Sequence, residues 1–165
     1  YCGTIIPNLE ARDRCLSAVK NADLLGVFTG QEVPQAIFSA YKISKCNIFY
    51  AFMNVGLPMY KPFVRLIKDY PPLLVGRPAE RFAKLLFDQL GIEVPYLDAI
   101  QSYHEVDSCI EKMAQIPHQW SLISAGINAL IIADTMSRKY GKVVVDFGHA
   151  ADMVLDNSDY WLAKL

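Results

Sequence analysis

Several absences in this sequence exclude whole classes of protein. Its 165 residues hold four cysteines, at 2, 15, 46 and 109, with no Cys-x-x-Cys and no cluster of cysteine with histidine. That spacing excludes a zinc ribbon and a disulfide framework, and it reads as reduced, mostly core thiols of a cytoplasmic protein. The net charge is −1 and no block of Lys and Arg occurs, so neither an overall field nor a basic arm recruits nucleic acid. The longest apolar runs, such as "INALIIA" at 127–133, fall short of a membrane span, and no signal-peptide pattern is present. Repeats and low-complexity linkers are missing as well. So are the dinucleotide GxGxxG, the Walker lysine loop and the helical HxxxH of zinc enzymes. "LISAG" (122–126) lacks the first glycine of a hydrolase elbow. The chain opens on "YCGTIIPN", which reads as the interior of a domain, so a preceding segment is expected.

What is present describes one α/β domain over residues 1–165. Hydrophobic residues make up 53% and charged residues 20%, a globular balance with enough length for a sizeable core. Asn8 after Pro7 is a good N-cap, predicting a helix to about Asn21 with Leu9, Leu16 and Val19 inward. "DLLGVF" (23–28) and "NIFYAF" (47–52) read as strands, separated by a helix with an apolar stripe at 33, 36, 37, 40 and 41. Helices follow at 59–70, 77–91 and 105–116, with strands at 72–76 and 93–100. Pro95 puts the latter at a sheet edge. "WSLISAG" (120–126), "INALIIADTMSRKYG" (127–141) and "KVVVDFG" (142–148) complete a strand, helix, strand series. Such alternation implies a Rossmann-like, mostly parallel sheet with helices on both faces, its strands buried on both sides. The aromatics Tyr41, Phe49, Tyr50, Phe52 and Phe63 read mostly as core, with one or two free to stack on a base.

Three junctions carry candidate chemistry. Gly76 and Arg77 precede one helix, and Ser124 and Gly126 precede another. A small-residue turn feeding a helix lets backbone N–H groups approach a phosphate, and Arg77 adds a bidentate donor. The plainer reading is that each glycine only makes a tight turn. The third junction is "DFGH", where Asp146, Gly148, His149 and Asp152 follow three valines. Asp146 and His149 either cap a turn or act on a ligand as base and hydroxyl binders. His104 and His118 read as polar loop residues.

The order of "NLEARDRCLSAVKNADLLGV", "LLVG" and "SLISAGINALIIADTMSRKYGKVVVDFGHAAD" resembles the bacterial GT-D-type glycosyltransferases, over about residues 7–155. The resemblance implies transfer of a sugar, typically glucose, from a UDP-sugar such as UDP-glucose to a glycan or glycoprotein acceptor. It also implies a divalent cation, Mn²⁺ or Mg²⁺. On that footing Asp146 and His149 are catalytic candidates, and Gly76, Arg77, Ser124, Gly126, Gly148 and Asp152 line the donor cleft. The family's acidic Asp-x-Glu motif, its metal and diphosphate site, occurs nowhere in these residues. It is expected in the segment upstream. Two other readings remain open: a nucleotide- or sugar-binding module without turnover, and a small metal-dependent hydrolase.

Overall fold

The computed structural model describes residues 7–27, 32–44, 47–98, 100 and 102–165, leaving the side chains of 32 and 33 aside. In chain order the elements are α1 (Leu9–Asn21), β1 (Leu25–Val27), α2 (Glu32–Ala40), β2 (Ile48–Tyr50), α3 (Met53–Gly56), α4 (Lys61–Asp69), β3 (Leu73–Gly76) and α5 (Ala79–Leu90). There follow β4 (Tyr96–Leu97), α6 (Val106–Gln115), β5 (Trp120–Ser124), α7 (Asn128–Tyr140), β6 (Val143–Asp146), α8 (Ala150–Asp156) and α9 (Ser158–Trp161).

Local signals place the ends of these helices. The Asn8 side chain accepts the Ala11 N–H at 2.9 Å and starts α1. Pro62 sits in the first turn of α4, where its missing N–H costs nothing. Gly91 and Gly141 close α5 and α7 at φ +65.

The main sheet runs β4-β3-β5-β6, all parallel, and alternate residues of its central strands divide the core between two helical layers. Leu74, Trp120 and Leu122 pack with Val64 and Ile67 of α4, Phe82 and Leu86 of α5, and Val154 of α8. Leu73, Val75 and Ile123 pack on the other face with Ala11 of α1, Cys109 and Met113 of α6, and Ile132 and Met136 of α7. β3 and β5 are thus covered on both sides, as their continuous apolar runs require.

The structure departs from the sequence reading in four places. The strands do not form one sheet: β1 and β2 pair with each other, in parallel, apart from the four-stranded sheet. The valine strand β6 is the sheet's last strand, so Val143 is exposed and Val144 and Val145 only half-buried. In α1 the inward residues are Ala11 and Ala18, while Leu9 is 63% exposed. Small residues let that helix lie close on α7, which the bulkier leucine would hold off. Finally, Ile37, Tyr41, Tyr50 and Phe52 are exposed rather than core. Ile37 and Tyr41 border an open apolar groove of about 270 Å³ with Leu16, Val19 and Leu25. Phe28, Cys2 and Cys46 lie outside the described residues.

Candidate functional site

The order of the strands sets a switch point in the sheet. From β3 the chain passes through α5, on one face, to the edge strand β4; it then returns through α6, on the other face, to β5. Above the adjacent C-terminal ends of β3 and β5 the chain therefore leaves in opposite directions, to α5 and to α7. It diverges again above β5 and β6, because α8 packs on the α5 face. In an open parallel sheet, divergence of this kind opens a ligand crevice beyond the strand ends.

The register brings the three candidate junctions together there. Gly76 pairs with Ser124, and Ile123 pairs with Asp146. Gly76 has a structural reason of its own: it takes φ +125, and a Cβ would stand 2.2 Å from the Ser124 carbonyl oxygen. Its bareness lets β3 press against β5. Arg77 is exposed beside it, in the turn before α5. Gly126 is exposed at φ +57, in the turn that leads to α7. No side chain caps the first turn of α5 or of α7. The positive ends of both helix dipoles lie at the switch point, while in α7 the Ala129 and Leu130 N–H groups already donate to the Gly126 and Ile127 carbonyls at 3.0 and 3.3 Å.

The 146–149 turn is built around Phe147. That ring is 1% exposed and packs against Phe63 and Phe82, with centroids 6.0 and 5.8 Å away. With Phe147 driven into the core, its neighbours are left at the surface. The Asp146 Oδ1 accepts the Gly148 N–H at 3.1 Å, and the Ile123 carbonyl accepts the Phe147 N–H at 2.8 Å. Asp146 therefore caps its own turn, as the structural alternative requires, while still reaching solvent.

Protein packed around Asp146 raises its carboxyl from the ordinary carboxylate range to about 6, chiefly by desolvation. The Gly148 N–H and the nearby His149 oppose the rise without cancelling it. An accessible carboxyl poised near neutrality suits proton transfer better than a capping role alone demands. His149 stands at the N-cap of α8 with its side chain 86% exposed, and its Nδ1 is 3.9 Å from Asp152 Oδ2. Asp152 is half-buried in the first turn of that helix.

Sequence reasoning missed Asn54. It sits in the four-residue helix α3 after β2, and its Nδ2 donates to the Asp146 carbonyl at 3.4 Å. Nothing in "FMNVG" signals a partner 92 residues away; only the fold supplies it.

Among the described residues no three His, Cys, Asp or Glu gather into a group that would hold a metal ion. Among them, too, no helix is long and apolar enough to cross a membrane.

The family model for the GT-D fold-like domain matches residues 1–154. The chain belongs to the GT-D-like family. Among solved structures, it is similar to one described as a new glycosyltransferase (DUF1792) from Streptococcus sanguinis. That likeness has a TM-score of 0.64 at 14% identity, over 96% of this chain and 72% of the other. A second, described as the highly conserved domain of unknown function 1792 with a distinct glycosyltransferase fold, gives a TM-score of 0.59 at 12% identity. It covers all of this chain and 72% of that one. At such identities the likeness shows the GT-D fold. No curated protein matches this sequence.

Proposed function

We propose that this GT-D-like domain is a glycosyltransferase that moves a sugar from a nucleoside-diphosphate sugar, UDP-glucose first among candidates, to a hydroxyl of a glycan or glycoprotein. One observation carries the reading. In a member of this family, the Asp146 carboxyl, raised to about 6, stands at the strand ends beside the switch point of the sheet. In the proposed reaction the acceptor oxygen bonds to the anomeric carbon as the bond from that carbon to the diphosphate oxygen breaks. Asp146 takes the hydroxyl proton, and His149 and Asp152 hold neighbouring hydroxyls. The Gly126 turn, the first turns of α5 and α7, and Arg77 face the diphosphate, where negative charge accumulates as it departs.

A dependence on Mn²⁺ or Mg²⁺ is part of the proposal, with no step assigned to the ion. The ligands that the family resemblance implies for it are the carboxylates of an Asp-x-Glu motif. The free thiols Cys15 and Cys109 fit a reducing compartment such as the cytoplasm.

The test is donor hydrolysis and transfer by the natural protein with a panel of nucleotide sugars, with and without Mn²⁺. Release of UDP from one donor, abolished by Asp146→Asn, is the expected result. Tight donor binding without turnover would leave a non-catalytic binding module.

A further inference from the structure

We propose that Asn54 is a positioning residue, a latch whose side-chain amide holds the 146–149 turn so that the Asp146 carboxylate keeps its aim. The inference rests on the reading of Asp146 as the base and adds a residue from a different part of the chain. The turn is held to β5 by the Phe147 and Gly148 N–H groups, which donate to the Ile123 carbonyl at 2.8 and 3.3 Å, and Asn54 adds a restraint from a different element. Phe147 anchors it from below, but Gly148 follows at φ +51, where the backbone has unusual freedom. The Asn54 Nδ2 donates to the Asp146 carbonyl at 3.4 Å, and the same nitrogen lies 3.1 Å from where a Gly148 Cβ would be. The amide nitrogen therefore sits against the glycine and touches the two residues whose mutual bond, Gly148 N–H to Asp146 Oδ1, orients the carboxylate.

The two ends of the Asn54 side chain are divided between two tasks. Oδ1 accepts the Val55 N–H at 2.8 Å and steadies the start of α3, while Nδ2 reaches across to β6. α3 in turn packs on α8, the helix that the 146–149 turn leads into. A carboxylate serves as a base only when held within a few tenths of an ångström of its productive position, and a displacement near 1 Å costs about a hundredfold in rate. A donor placed on the peptide of the catalytic residue supplies that restraint without occupying the carboxylate oxygens.

Because the two tasks use different atoms, substitution separates them. Asn54→Ala removes both. Asn54→Asp keeps an oxygen for Val55 and sets another against the Asp146 carbonyl, so the latch is lost, and it adds a negative charge whose effect on Asp146 shows separately as a shift of the pH–rate profile. Both variants of the natural protein are to be compared with the parent at pH 8, above the range in which Asp146 titrates. Two quantities are read: hydrogen exchange of the Gly148 amide, and kcat and KM with UDP-glucose. The expected result is faster Gly148 exchange in both variants, with kcat down about ten- to a hundredfold and KM little changed. Unaltered Gly148 exchange overturns the latch whatever the activity does. Normal kcat in Asn54→Asp, beside a loss in Asp146→Asn, overturns the positioning role and leaves Asn54 as a support for α3. Faster exchange with full turnover in both Asn54→Asp and Asp146→Asn upholds the latch and removes Asp146 as the base.

Discussion

Asp146 caps its own turn and is proposed to take a proton as well, and the chemistry of Asn separates the two roles. An amide at 146 keeps the oxygen that accepts the Gly148 N–H, so the turn survives, but it cannot take a proton. Asp146→Asn is expected to lower transfer by about 10²–10⁴ while the melting temperature changes little. A fall in stability with normal turnover would return the residue to a capping role. Its titration gives a second handle. The folded-state value near 6 lies above the ordinary 3.8, so the native state binds a proton that the unfolded state releases. The carboxyl therefore favours folding most below 3.8, and that contribution is lost as the pH rises through 6. Denaturant titrations of parent and Asp146→Asn should show the parent gaining relative stability as the pH falls from 7 to 4. The parent's transfer rate should rise with pH across the same range, because only the ionised form accepts a proton.

At the scale of elements, the two junction glycines are expected to fail in different ways. Gly76→Ala drives a methyl into the Ser124 carbonyl from a backbone region that side chains avoid. The pairing of β3 with β5 cannot yield without losing core contacts on both faces, so a loss on the order of 3–5 kcal/mol follows. For a chain of this size that lowers the melting temperature by about 10 °C. Gly126 is exposed at φ +57, so Gly126→Ala costs only about 1–2 kcal/mol of backbone strain, and its larger effect should fall on nucleotide affinity. Equal nucleotide binding by parent and Gly126→Ala would make that glycine a turn residue and nothing more. The docking of α1 is a third case. The Tyr103 hydroxyl donates to Glu10 at 2.7 Å and accepts from Arg14, which also grips Asp107 at 2.6 Å. Tyr103 is buried, so Tyr103→Phe strips a satisfied bond and should cost about 1 kcal/mol in a denaturant titration.

For the whole molecule, ligand and fold are linked by mass action. A UDP-sugar at about a hundredfold its dissociation constant adds roughly 2.7 kcal/mol. Thermal denaturation of the natural protein with Mn²⁺ should register this as a rise of about 5–11 °C. No rise with any nucleotide sugar would remove the donor site from the strand ends.

The sequence by itself determined most of the elements, because their signals are local. The Asn8 cap, Pro62, Gly91 and the stripe at 106, 109, 110 and 113 each act within a turn or two of the chain. It also exposed the polar cluster after β6, since an aspartate, a glycine and a histidine flanking one phenylalanine cannot all be buried. Which strands pair was not legible, because apolar runs such as "GVF" and "LLVG" look alike whether they join one sheet or two. The same holds for the exposure of Val143, which depends on β6 being last in the order. Leu9 was misplaced because hydrophobicity alone does not show that α7 needs the small residues Ala11 and Ala18 against it. Asn54 was invisible for a sharper reason: its partner lies 92 residues away, and a hydrogen bond over that distance leaves no trace in the spacing of neighbours. Helix and strand follow from backbone and side-chain preferences summed over a few residues. The meeting of the three junctions at the strand ends, and of Asn54 with Asp146, exists only once the fold has brought distant parts of the chain together.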